Sequence, residues 1–105
     1  MAQTFDGAQF PHALRFTLSS TPNNCTEIVM PNTATTVSLK FSDNAGKVAF
    51  EGTDGATINA NFVDITADAI AEIGLGDGVN SAKGVNSIFV ASATASTVCT
   101  VVIEG

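Results

Sequence analysis

From Ala13 onward the apolar side chains fall at every second position, and a period of two predicts strands with one face buried. Leu14, Phe16 and Leu18 alternate with Ala13, Arg15 and Thr17. Ser19 to Asn24 is loop chemistry, after which Thr26, Ile28 and Met30 alternate with Cys25, Glu27 and Val29 until Pro31-Asn32 stops the run. Paired as neighbours, these two strands set Phe16 against Ile28 and Leu14 against Met30. Val37, Leu39 and Phe41 alternate with Ser38 and Lys40, and Asp43-Asn44-Ala45-Gly46 supplies a turn with Gly at an expected positive φ. The return carries Val48 and Phe50 on one face and Lys47, Ala49 and Glu51 on the other. The pattern therefore predicts a hairpin pairing Ser42 with Lys47, Phe41 with Val48 and Leu39 with Phe50. A slip of one residue would bury Lys40.

Thr53-Asp54-Gly55 marks the next turn. Ile58, Ala60 and Phe62 then share a face, but Val63 and Ile65 are the apolar positions that follow, so a bulge is expected near Phe62-Val63. Thr66 to Glu72 predicts a short helical turn with Thr66 as N-cap, leading into a strand through Ala71, Ile73 and Leu75. Gly74 to Gly84 reads as a long loop. A last hairpin is predicted from Ile88 and Val90 through Ala93-Thr94-Ala95-Ser96, with Val90 opposite Cys99 and Ile88 opposite Val101. Its return strand is apolar on both faces, because Val98 and Val102 flank Cys99, Val101 and Ile103, which marks a central strand or an interface.

Short strands with turn signals about every ten residues predict an all-β fold, a two-sheet antiparallel β-sandwich of jelly-roll or Greek-key type. It spans residues 13–105. Residues 1–12 lack any period and read as a short extended N-terminal arm, with Phe5 and Phe10 isolated among polar neighbours and Phe10-Pro11 favouring extension.

Composition narrows the function. The chain has 105 residues, enough for one domain with its own core, and Thr, Ser, Asn and Gly fill 38 of them. Four basic residues against ten acidic ones, a net charge of −6, argue against a phosphate-binding surface, so nucleic acid is not an expected partner. No run approaches the roughly 18 apolar residues of a membrane span. The start, Met1-Ala2-Gln3-Thr4-Phe5-Asp6-Gly7, has neither the basic nor the apolar region of a signal peptide. Synthesis in the cytoplasm is expected, or else a mature fragment. Asn24-Cys25-Thr26 then fits a glycosylation acceptor only by coincidence.

Catalytic chemistry is thin. Any acid-base scheme must run through His12, the single histidine, and no Gly-x-Ser-x-Gly elbow exists, so His12 reads as a surface or packing residue. Gly74, Gly76 and Gly78 imitate a dinucleotide loop, yet Val79 holds the sixth position and no helix follows. Asp43, Asp54 and Asp77 each lie in a Gly-containing turn without the spacing of a calcium loop. No catalytic residue, cofactor or metal is expected. Cys25 and Cys99 read as small buried hydrophobes with free thiols, Cys99 inward and Cys25 on the face opposite Ile28.

Association is the stronger expectation. Phe5 and Phe10 on a polar arm either fold back on their own domain or dock on a neighbouring subunit. Strand edges need guarding, and Arg15, Lys40, Lys47 and Lys83 are the whole supply of cations. A homo-oligomer is expected, a trimer in preference to a dimer, with Phe5, Phe10, Val98 and Val102 as its contact residues.

The stretch Ser87-Ile88-Phe89-Val90-Ala91-Ser92-Ala93-Thr94-Ala95-Ser96-Thr97-Val98, running on to Val102-Ile103-Glu104, resembles the end of small virion proteins of tailed bacteriophages. Val37-Ser38-Leu39-Lys40-Phe41 and Gly46-Lys47-Val48-Ala49-Phe50 are compatible with it, so the resemblance covers the last two-thirds of the chain. It implies a β-sandwich on the exterior of the virion that decorates or cements an icosahedral head, with the major capsid protein as partner. It carries no site residues, because no family motif for catalysis or ligand binding is matched. The expected function is thus non-enzymatic and structural. The alternative is a receptor- or carbohydrate-binding head domain of a tail or fibre protein, against which the absence of Trp and Tyr counts.

Overall fold

The computed structural model describes residues 2–4, 10–75 and 85–105. Nine strands form among them: β1 (Gln3–Thr4), β2 (His12–Thr17), β3 (Thr26–Pro31), β4 (Thr36–Ser42), β5 (Gly46–Ala49), β6 (Phe62–Ile65), β7 (Ala71–Gly74), β8 (Val85–Ala91) and β9 (Val98–Glu104). They build a five-stranded sheet, β1-β3-β8-β5-β6, and a four-stranded sheet, β2-β9-β4-β7. Every pairing is antiparallel except that of β1 with β3. The protein is all-β, as its period predicts.

The pairings are nested. β2 lies beside β9, β3 beside β8, β4 beside β7 and β5 beside β6, so the chain doubles back at the β5–β6 connection. From β2 to β9, only that connection stays within one sheet. None of the tight hairpins expected from the sequence forms. β2 and β3, β4 and β5, and β8 and β9 each belong to different sheets, so Phe16 does not pair with Ile28, Phe41 with Val48, or Val90 with Cys99. The matching apolar faces have another cause. They point at one another across the core from opposite sheets, and a period of two is the same for strands side by side and strands face to face.

Backbone shape at the turns explains the outcome. The four described non-glycine residues with positive φ are Asn23 (66°), Asp43 (67°), Asp68 (63°) and Ser96 (59°). One falls in each of the connections β2–β3, β4–β5, β6–β7 and β8–β9. A two-residue type I′ hairpin needs two consecutive residues in that region, and none of these connections supplies a second. Gly46 is not among the positive-φ glycines. It is needed for space, since a Cβ there would overlap the ring of Phe41, which is fully buried.

These turns are laced together. Leu18 N–H donates to Thr97 O at 2.8 Å and Ser96 N–H to Ser19 O at 3.0 Å. Ser92, nearly buried, donates its hydroxyl to Ala45 O at 2.7 Å, while its carbonyl accepts Asn23 N–H at 2.8 Å. Asp68 N–H donates to Phe41 O at 2.8 Å, and Asp68 Oδ1 accepts Asp43 N–H at 3.0 Å. Residues 66–69 thus form one turn, closed by Ala69 N–H on Thr66 O, and not the helical start expected from Thr66.

Both sheets contribute to one core. Ile28, Met30, Val48, Ile88 and Val90 come from the five-stranded sheet, and Val37, Leu39, Phe41, Cys99, Val101 and Ile103 from the other. A second cluster lies on the opposite face of the five-stranded sheet, where Ile58 and Phe62 close over Cys25, Ala49, Phe89 and Ala91. The segment before β6 is therefore no strand and no bulge is required. Asn61 N–H donates to Asn59 Oδ1 at 2.7 Å, and Ile58 and Phe62 serve the outer cluster while Ile65 packs on the inner one. The same segment guards β3: Cys25 N–H donates to Ala56 O, Gly55 N–H to Cys25 O, and Glu27 N–H to Asp54 Oδ1, all within 2.9 Å. With β1 on residues 28–29, that edge is covered by the chain itself.

Gly46→Ala should lower stability by about 1–3 kcal/mol through overpacking against Phe41. Denaturant unfolding read by circular dichroism measures it, and an unchanged midpoint would mean the turn is free to move.

Candidate functional site

β9 is the middle of its sheet, flanked by β2 and β4, so its outward side chains have neighbours on both sides. Alternation sends Cys99, Val101 and Ile103 to the core and leaves Val98, Thr100 and Val102 half-buried on the outer face, with Glu104 exposed. Register then fixes four rows across that face. Thr17, Val98 and Ser42 form one, and Arg15, Thr100 and Lys40 the next. Ala13, Val102, Ser38 and Glu72 follow, then Glu104, Thr36 and Gly74. A shallow groove of about 200 Å³ runs between Ser38, Lys40, Ile70, Thr100 and Val102.

The face is apolar along its middle, lined with hydroxyls, and charged at its margins. Ile70 is 76% exposed beside it, because the 66–69 turn delivers the chain to β7 with that side chain outside the core. Arg15 and Lys40 flank Thr100 and make no ion pair with a described residue. The third described cation, Lys47, is engaged elsewhere, 4.7 Å from the centre of the Phe62 ring and 2.9 Å from Asn23 Oδ1.

Of the four contact residues expected from sequence, Val98 and Val102 lie together on this face. Phe10 does not join them; it is partly buried and packs on its own core, the fold-back alternative for that side chain. Phe5 lies outside the described residues. Sequence reasoning missed Arg15, Lys40 and Ile70. The polar positions of the period held the two cations, but the row that unites them comes from β9 lying between their strands. No linear pattern carries it.

The other candidates have structural employment. His12 opens β2 opposite Ile103 and is half-buried. Asp43 and Asp54 act in turns, the first through its N–H to Asp68 and the second through its carboxylate to Glu27 N–H. Gly74 ends β7, whereas Gly76, Asp77 and Gly78 lie outside the described residues. Among the described residues, no three His, Cys, Asp or Glu side chains stand close enough to hold a metal ion. Glu27 is held on the outer face of the five-stranded sheet by Ser87, whose hydroxyl donates to Oε2 at 2.6 Å.

Both cysteines are free and buried, in different clusters. Burial, then the nearby Asp54 charge, raises the Cys25 thiol, whose Sγ donates to Thr53 O at 3.0 Å. Burial alone pushes Cys99 from 9.0 up to about 12. No family model, curated protein or solved structure matches the chain.

The Cys99 shift has a sign that can be measured. The unfolded chain ionises this thiol from near pH 9.0, while the folded chain keeps the proton to about pH 12. Stability is therefore full below the lower value and falls as pH rises through that window, by about 1.4 kcal/mol per unit. Urea titrations at about pH 8 and about pH 10.5 should show the loss. Cys99→Ala, although less stable overall, should show a flatter dependence.

Proposed function

We propose that the protein is a non-enzymatic structural component of a phage virion that decorates or cements the capsid exterior as a small oligomer. The observation that carries this reading is the outer face of the four-stranded sheet, where half-buried Val98 and Val102 and the exposed Ile70 have no partner within the described chain. The nested pairing supports it. We read the two sheets as a jelly-roll sandwich, an eight-stranded double sheet used by viral capsid and lectin domains alike, with β1 added at one edge. Fold is not function, so the weight rests on the face.

The mechanism is mass action. A protein that binds the assembled shell and not its free subunits stabilises the shell by the free energy of binding. A face rich in hydroxyls and short aliphatic groups suits repeated contacts with other β-structured proteins, while Asp43, Glu51, Asp64 and Asp68, exposed elsewhere, keep the remaining surface soluble. The lectin-like alternative needs an aromatic platform for sugar stacking, and this face offers Val98, Thr100 and Val102 in its place.

Co-sedimentation with expanded, DNA-filled heads of the source phage tests the reading. Expected is retention near the copy number of the major capsid protein, with Val98→Asp reducing it by about tenfold or more. Retention at background level overturns it.

A further inference from the structure

We infer that the outer face of the four-stranded sheet is self-complementary and pairs with a second copy of this chain about a two-fold axis through Val102. The order of the rows supplies the match. Along β9 the outward positions run Val98, Thr100, Val102, Glu104. Arg15 and Lys40 stand on either side of Thr100, and Glu104 lies two rows from Thr100, with the row of Val102 halfway. A two-fold axis lying in the interface along the row of Val102, across the strands, exchanges the row of Thr100 with the row of Glu104. It sets each Glu104 over the Thr100 of the other copy, between that copy's Arg15 and Lys40.

Both ends of the face are satisfied at once, as an isologous contact requires. Val102 meets its own copy at the axis, between Ala13 and Ser38, whose small side chains permit close approach. Packed sheets stand about 10 Å apart, within the combined reach of a Glu and an Arg or Lys side chain. On the β7 side, Ala71 pairs with Leu39, so Ile70, one residue earlier, falls level with Lys40, and the same rotation carries it toward Gly74 of the second copy. Gly74 has open space where a Cβ would be, which leaves room for the exposed Ile70.

Other occupants fit less well. An acidic partner would meet Glu72 and Glu104 on the same face as the two cations, and a basic partner would meet Arg15 and Lys40. A surface with the same two signs in reversed order matches Arg15, Lys40 and Glu104 together, and a second copy supplies it. One term opposes the pairing. Glu72 shares the row of Val102, so the rotation brings it toward the Glu72 of the other copy at the rim. The two carboxylates of this face therefore act in opposite directions, and that difference is the signature of the axis.

The contact supplies the oligomer that the proposed virion role needs and covers Val102; the row of Thr17, Val98 and Ser42, which the rotation carries past the end of β9, is left for the shell. Self-association is tested without any shell, so the two readings fail separately. Sedimentation equilibrium of the full chain should give a species of twice the 10.7 kDa chain mass. Glu104→Lys should weaken self-association by about tenfold, and Arg15→Glu with Lys40→Glu in the same chain should restore it. Glu72→Ala should tighten it by about two- to fivefold. Circular dichroism and unreactive thiols report that each variant is folded. A single-chain mass at about 0.1 mM, a trimer, equal effects at Glu72 and Glu104, or no rescue by the exchanged charges would each overturn the pairing.

Discussion

The structure depends on the chain changing sheets at its turns. Asn23, Asp43, Asp68 and Ser96 each place one residue in the left-handed region within a connection that crosses from one sheet to the other. Such conformations cost little for Asn and Asp, whose short polar side chains tolerate the region. The cost is offset by hydrogen bonds among the turns themselves. Asp68 binds the β4–β5 turn through both its N–H and its carboxylate, and Ser92 joins the β8–β9 connection to both Asn23 and Ala45. Were any one of these turns to revert to a hairpin, its strand would leave the sheet that buries it. The other turns would also lose bonding partners.

From this constraint follows the division of faces. Alternating sheets lets two apolar faces meet in one core without a helix, which suits a chain with few charges and many hydroxyls. It also leaves two outer faces to be managed. The five-stranded sheet is covered by its own chain, since the β5–β6 connection brings Ile58 over Phe89 and Ala91 and binds the edge of β3. The four-stranded sheet receives no such cover from the described residues. Its central strand keeps Val98 and Val102 outward between hydroxyl-bearing neighbours, and this asymmetry between the faces is where the functional reading begins.

Strands and their inward residues were legible in the sequence. Val37, Leu39, Phe41, Val48, Ile88, Val90, Cys99, Val101 and Ile103 are buried as the period requires, and a strand through Ala71 and Ile73 forms where expected. The expected pairings were not legible. Asp43-Asn44-Ala45-Gly46 is a turn as its residues imply, but the positive φ falls at Asp43 and not at Gly46, which answers to the Phe41 ring instead of to its own backbone. Edge protection was underestimated for a related reason. Asp54 belongs to a turn by its sequence, and its contact with Glu27, like that of Ala56 with Cys25, depends on how the chain folds back there.

Period, polarity and residue size along the chain are local properties, and they determined that this protein is all-β, which side of most strands faces inward, and that its thiols are buried. Which sheet each strand joins is a non-local property. A side chain pointing inward gains the same burial from a neighbour beside it as from one across the core, so hydrophobic pattern alone leaves the two arrangements degenerate. Hydrogen bonds between distant turns, such as Asp68 with Phe41 and Asp43 or Ser92 with Asn23 and Ala45, hold the arrangement that forms. The row that unites Arg15, Thr100 and Lys40 exists because β9, the last strand in sequence, inserts between β2 and β4. The scarcity of cations is plain in the sequence, but their meeting on one open face follows only from that insertion.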